Sequence, residues 1–287
     1  MIKKTNLQIA LEYLISRPGY LKKSPLTLAL AINKNEPDLD AAAEAHKLAK
    51  SLSKKETFAK RYCPAPFEGG DPDNILVIGD LHEPFCLDEY LIHCYNLQVA
   101  YNCGTVVFIG DIIDNHFASY HEVEPSALGA DDEFEHAKSR IADWYATFPN
   151  AFVTVGNHDR LIMRKAKTSG ISKYWLKNFS EALDTPGWDF VDSIVINNVF
   201  FNHGESGTAK TRARNSLYSV VQGHLHSEAY VEMISGCKKF AMQVGCGVNI
   251  NTYGMAYARD YKEPAISAAV ILNGKVPLLF PMDSTIR

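Results

Sequence analysis

Aspartate, histidine and asparagine recur in five short stretches of this chain, each with the residue types that hold divalent cations. The stretches are Gly79-Asp80-Leu81-His82, Gly110-Asp111-Ile112-Ile113-Asp114, Gly156-Asn157-His158-Asp159, Asn202-His203-Gly204 and Gly223-His224-Leu225-His226. Carboxylate, imidazole and amide oxygen together suit borderline ions such as Mn²⁺, Fe²⁺/³⁺ or Zn²⁺. Each stretch alone is a weak signal. Asp111 could simply cap a helix, and His224-x-His226 in an extended segment would point to opposite faces. The order is more informative, because each stretch follows a β-type apolar run: Ile75–Ile78, Thr105–Ile109, Phe152–Val155, Val199–Phe201 and Tyr218–Val221. Clusters at the carboxyl ends of strands can converge on one rim of a sheet, where α/β proteins place their sites.

The ordered set resembles the calcineurin-like metallophosphoesterases over roughly residues 73–255. Gly-Asn-His-Asp-Arg, His-Gly-Glu-Ser-Gly and Gly-His-Leu-His followed by Gly-Cys-Gly are most similar in wording to phage-encoded members. The resemblance implies an α/β fold, a four-layer αββα sandwich of two mixed β-sheets flanked by helices, with a small N-terminal all-α module. It implies hydrolysis of phosphoester bonds by two divalent ions and a bridging hydroxide, the ions ~3.5–4 Å apart. Asp80, His82 and His226 would bind the first ion, Asp111 would bridge, and Asn157, His203 and His224 would bind the second. His158 would protonate the leaving oxygen, a contribution of typically about 10²–10⁴-fold. Asp114 matches the carboxylate that orients this histidine in phosphoprotein phosphatases, and it reads equally well as a helix-start carboxylate. Asp159 is expected to hold local loop geometry.

Substrate contacts are less defined. Arg160, Arg164, Arg212 and Arg214 flank the metal-binding stretches, and the planar fork of any of them suits a phosphate. Gly204–Thr208 could present backbone N–H groups at a helix start. The long stretch Asn115–Asp131 places His116, Tyr120 and His121 as rim candidates. Phosphoprotein phosphatases carry Gly, Arg and Glu where this chain has Glu83, Asn115 and Asp159, so nucleotide or nucleic-acid phosphoesters are the expected substrates. A phosphodiesterase or nuclease is expected first. A phosphomonoesterase or phosphoprotein phosphatase is the alternative, and a non-catalytic metal-binding scaffold is a remote one. Only 61 residues follow His226, too few for the DNA-capping domain of repair exonucleases in addition to the closing strands.

The elements that must position these residues fit 287 residues with 46% hydrophobic and 22% charged side chains, an ordinary globular balance. No apolar run approaches the ~20 residues of a membrane span, and no secretory signal is recognisable, so a cytoplasmic location (the host's, for a phage protein) without membrane contact is expected. The six cysteines form no Cys-x-x-Cys pair, and reduced thiols are expected rather than a structural zinc site. Residues 1–62 carry 12 basic and 6 acidic side chains, +6, whereas the remainder carries 17 and 27, −10. The first part reads as three short helices over 7–16, 25–33 and 41–52, a helix-turn-helix-like module. Its helical pattern suits a packing or assembly role or nucleic-acid contact, and its charge fits an anionic partner or equally a solvated helix surface. A Pro- and Gly-rich linker spans 63–72 and the catalytic domain 73–287. Leu87, Leu91, Cys94 and Leu97 form one helical apolar face, and Phe134, Ala137, Ile141, Trp144 and Phe148 another. Asn197-Asn198, Ser235-Gly236 and Asn273-Gly274 are expected as hairpin turns. Oligomeric state has no signal in the sequence.

Overall fold

The computed structural model describes residues 24–34, 37–56, 62–119, 127–252 and 263–282, with Asn6, Ile9, Ala10 and Tyr13. The chain divides into two compact units, Met1–Arg61 and Tyr62–Arg287. The helix expected over residues 7–16 falls largely outside the described residues.

In the first unit, α1 spans Pro25–Ile32 and α2 spans Leu39–Glu56. Ser24 caps α1 by accepting the Thr27 N–H at 3.2 Å, and Pro25 occupies the first turn, where its missing N–H costs nothing. Asp38 does the same for α2 through the Ala41 N–H at 2.9 Å. Leu28 and Ala29 of α1 pack with Ala42 and Ala45 of α2 and with Ala10. These are small side chains, so the helices approach closely around a small core.

The second unit contains two mixed sheets. The first is built from β1 (Asp71–Ile78), β2 (Cys103–Phe108), β3 (Ala151–Thr154), β4 (Trp188–Val191), β10 (Ser267–Leu272) and β11 (Val276–Pro281), in the order β11-β10-β1-β2-β3-β4. Strands β1 to β4 are parallel, and β10 and β11 join antiparallel at one side. The second sheet holds β5 (Ser193–Ile196), β6 (Val199–Asn202), β7 (Ser219–Gln222), β8 (Tyr230–Ile234) and β9 (Lys239–Gln243), in the order β5-β6-β7-β9-β8. β1 begins at Asp71, inside the stretch read as linker.

Alternation along the strands decides the layers. Ile75 and Val77 of β1 face the core between the sheets with Val107, Phe201, Val221, Met242 and Ile271. Leu76 and Ile78 face the opposite way, against α3 (Asp88–Ala100) and α4 (Ala130–Thr147), where Tyr90, Leu91, Cys94, Ile141, Trp144 and Phe148 are buried. Both expected helical stripes lie in this layer. On the outer face of the second sheet, Ala209 and Ala213 of α7 (Ala209–Arg214) cover Val220 and Ala241. The remaining helices are α5 (Leu161–Thr168) and α6 (Phe179–Leu183). The architecture is therefore helices, sheet, sheet and helix. Asn197, Asn198, Ser235, Gly236, Asn273 and Gly274 all have positive φ, the backbone tight hairpin turns require. The six cysteines are free thiols, and burial pushes Cys103 up to about 12.

Candidate metal centre

Five loops at carboxyl ends of strands meet on one rim of the two sheets. Asp80 and His82 follow β1, Asp111 and Asp114 follow β2, and Asn157 and His158 follow β3. His203 follows β6, and His224 and His226 follow β7. The backbone turns sharply where ligand types sit: His82, Asp111 and His224 have φ of 50°, 46° and 70°. Non-glycine residues rarely adopt this region, and such local strain concentrates at functional sites. The His82 and Leu81 N–H groups both donate to the Asp111 carbonyl, at 2.8 and 3.1 Å, which locks the first two loops together. A Cβ on Gly156 would collide with Asp111 Oδ1, and one on Gly223 with Asp80 Oδ1. Both glycines thus let a backbone lie directly against a carboxylate.

The side chains fall into two overlapping groups. Asp80, His82, Asp111 and His226 offer ligand atoms all within 4.8 Å of one another, and so do Asp111, His203 and His224. Asn157 Oδ1 joins the second group at 2.9 Å from His203 Nε2. Asp111 Oδ2 lies 3.1 Å from His203 Nε2 and 3.4 Å from His82 Nε2. Neighbours orient each ligand. His203 Nδ1 meets the Ile109 carbonyl at 3.0 Å and must donate there, which leaves the Nε2 lone pair for a cation. His82 Nδ1 is 2.6 Å from Asp114 Oδ1, with the same result. The His224 N–H holds Asp80 Oδ2 at 2.8 Å, and the His158 N–H holds Asp111 Oδ1 at 2.8 Å. Asp80 Oδ1 is buried and has no hydrogen-bond partner among the described residues. An orphaned carboxylate oxygen beside imidazole nitrogens fits a divalent cation, since buried polar atoms otherwise find partners.

The electrostatics agree with that donor set. Burial opposes ionisation of Asp111, but the His203 charge and hydrogen bonds from His203 and His82 outweigh it and hold the carboxyl well below its usual range. Burial likewise opposes protonation of His203, yet Asp111 and Asp80 raise it to about 9. His82 is also raised, through Asp111 and Asp114 against burial. This cluster therefore favours positive charge at its centre.

Next to the cluster, the His158 ring packs edge-on against His82, centroids 4.5 Å apart. His158 Nδ1 lies 2.7 Å from the Asp114 backbone carbonyl and 3.2 Å from the Asp114 carboxylate. Burial and the His82 charge oppose protonation of His158. The Asp114 hydrogen bond and the Asp111 and Asp114 charges prevail and raise it. Asp114, at about 2 despite burial, stays ionised because His158 and His82 both bond to it. Its carboxylate is thus closer to His82 than to His158. Asp159 accepts the Ile112, Ile113 and Gly156 N–H groups at 3.0, 3.3 and 2.8 Å and ties two of the loops together.

The outer candidates are placed differently. Arg160 pairs with Glu205, and with Asp192 at 2.9 Å. Arg164 donates to the Ala118 carbonyl, Arg214 faces Glu232 at 3.6 Å, and Arg212 donates to the Ser206 carbonyl while lining a cavity of ≈ 490 Å³ with Phe200 and Tyr218. His116 is buried, its N–H bonded to Glu133 at 2.6 Å and its ring 3.9 Å from Asp114. His121 and Tyr120 lie outside the described residues. One positioning feature has no counterpart among the expectations. Glu83, directly after His82, is fully buried and holds Arg140 Nε at 2.5 Å and Trp144 Nε1 at 2.8 Å. The only signal for it was a carboxylate inside an otherwise apolar and metal-binding segment.

Comparison with known proteins identifies the family. The sequence pattern of the calcineurin-like phosphoesterase family matches residues 74–236. No curated protein matches significantly. Among solved structures, the chain is similar to the nuclease MPE of Pseudomonas putida, with 13% identity, a TM-score of 0.35, and 72% of this chain and 86% of that one covered. It is similar to Vps29 of Entamoeba histolytica, with 14% identity, a TM-score of 0.36, and 73% and 99% covered. It is also similar to Yfce, a phosphoesterase from E. coli, with 10% identity, a TM-score of 0.34, and 73% and 100% covered. With the family pattern spanning more than half of its length and every loop of the rim, the chain belongs to the calcineurin-like phosphoesterases.

Proposed function

We propose that this chain hydrolyses phosphoester bonds at a centre of two divalent ions, and that its substrates are nucleotide or nucleic-acid phosphodiesters. The observation that supports the reading is Asp111, which belongs to both ligand groups and so would be the bridging carboxylate. Asp80, His82 and His226 would hold one ion, and Asn157, His203 and His224 the other. When bound, such ions activate water and neutralise charge on the phosphoryl oxygens. The protein's own part is orientation and proton transfer. Asp114 and Ile109 fix the tautomers of His82 and His203. His158, anchored through Nδ1 and raised in pKa, presents Nε2 as a proton donor for a leaving alkoxide.

The preference over phosphoproteins rests on the loop after Asp114. Asn115 donates its Nδ2–H to the His158 carbonyl at 3.0 Å, a bracing role in place of a phosphate-binding arginine. Arg160 is held by Glu205 and Asp192, so it would contact substrate only by leaving them. The reading is tested by stripping the protein with chelator, reloading it with Mn²⁺, Fe²⁺ or Zn²⁺, and comparing bis-p-nitrophenyl phosphate with p-nitrophenyl phosphate. Metal-dependent turnover that favours the diester is expected. No turnover with any of the ions would reject the hydrolase, and monoester preference would reject the substrate class.

A further inference from the structure

The segment after the Asn157-His158 loop carries a second feature that the metal chemistry does not use. Residues 161–177 contain Arg164, Lys165, Lys167, Lys173 and Lys177 and no Asp or Glu, within a unit whose charge is strongly negative. Tyr174 and Trp175 stand in the same segment, 88% and 85% exposed, whereas Trp144 and Trp188 are buried. Ile171 and Met163 are exposed beside them in sequence. Large aromatic rings open to water within a cationic segment need an account, because side chains of this size normally bury most of their surface.

The backbone that carries the rings is fixed by hydrogen bonds. The Gly170 N–H bonds to Lys167 O at 3.1 Å and the Ile171 N–H to Ala166 O at 2.8 Å, so α5 ends in a closed cap, with Gly170 at φ 71°. Ser172 then starts a single tight turn, Lys173–Trp175, by accepting the Tyr174 N–H, and its carbonyl takes the Trp175 N–H at 3.0 Å. Lys173 Nζ sits 5.7 Å from the Tyr174 ring centroid. Among the described residues, Lys165 and Lys167 form no salt bridge. The eight residues of α5 cover about 12 Å, and α5 starts three residues after His158, so a short span of chain joins this turn to the loop of the proposed proton donor.

We infer that Tyr174 and Trp175, with Lys165, Lys167 and Lys173, form a platform that binds single-stranded nucleic acid. Base faces stack on exposed aromatic rings, and lysines follow the phosphates. Charge favours an anionic occupant, and two adjacent planar rings, far more exposed than Ile171 and Met163, favour stacked bases over a membrane or protein surface. The inference rests on the nucleic-acid reading of the site and gives it a strand type.

The test uses the full chain in chelator, so that no strand is cut, with a labelled single-stranded oligonucleotide of about 16 nucleotides. Binding is expected to quench tryptophan emission, which reports on Trp175 because the other two tryptophans are buried. Trp175→Ala and Tyr174→Ala should each weaken binding by about 5- to 150-fold, and duplex of the same sequence should bind more weakly. Lys165→Gln with Lys167→Gln should flatten the salt dependence by about 0.7 per lost contact. Unchanged affinity in Trp175→Ala, absence of quenching, or equal affinity for duplex overturns the platform. If Trp175→Ala alters only the sedimentation of the free protein, the rings are a contact between copies and the proposal also fails. Wild-type turnover of bis-p-nitrophenyl phosphate judges the hydrolase separately. Turnover without strand binding removes the platform alone, and strand binding without turnover removes the hydrolase alone.

Discussion

Asp114 serves two histidines at once. Its carboxylate is 2.6 Å from His82 Nδ1 and 3.2 Å from His158 Nδ1, and its carbonyl is 2.7 Å from the latter. Removing the charge should therefore disturb both the proposed metal ligand His82 and the proposed proton donor His158. His158→Ala should keep metal content and lower turnover of alkyl esters by about 10²–10⁴-fold, with a much smaller loss on p-nitrophenyl esters, whose leaving group needs little protonation. Equal losses on both would exclude the acid role. Asp114→Asn should share the His158→Ala defect and also weaken metal affinity, read by titration with Mn²⁺. The double variant should be little worse in turnover than His158→Ala alone, because the two residues act through one proton. The metal-binding residue types were legible in the sequence because each motif is local: a strand, a sharp turn and a ligand within a few positions. The second partner of Asp114 was not, since the 2.6 Å contact to His82 joins residues 32 positions apart.

At the level of elements, the strands and helices near the site followed from periodicity. Alternating Ile75–Ile78 faces both neighbouring layers, and the Leu87–Leu97 stripe packs beneath the first sheet. What periodicity could not show is how the loop between β1 and α3 is fastened. Glu83 reaches Arg140 and Trp144 across α4, 57 and 61 residues away, and Arg140 also bonds to the Cys86 carbonyl at 2.6 Å and Asp88 at 2.8 Å. Nothing local in a helix sequence marks one arginine as buried. Arg140→Leu should destabilise by about 3–5 kcal/mol, because it strands the Glu83 charge in the core. Replacing both, as Glu83→Leu with Arg140→Leu, should recover part of that loss. Denaturant titration of the three variants checks both statements, and additive losses would show that the residues do not act as a pair.

For the whole molecule, the charge split between residues 1–62 and the rest was legible from composition, and it directed attention to the first unit as the nucleic-acid partner. The exposed aromatic turn was invisible at that level, because Tyr and Trp read as core residues until their exposure is known. If both surfaces bind, deleting residues 1–61 should leave turnover of a small diester unchanged and weaken strand binding only in part. Complete loss of strand binding would return that role to the first unit.

The ligands at the rim come from both sheets: Asp80, His82, Asp111 and Asn157 from the first, His203, His224 and His226 from the second. β2 and β7 share no backbone ladder, since they lie in different sheets, and are joined by the packed core between the sheets and by bonds such as His203 Nδ1 to the Ile109 carbonyl. A cation held by Asp111 and His224 would add a crosslink between them. Saturation at about 1,000 times Kd adds ~4 kcal/mol to the bound form, and that increment should appear as slower amide exchange in β2 and β7 together. Metal would then do more than supply chemistry: it would tighten the coupling between the two sheets, and exchange that slows in one sheet alone would show that it does not.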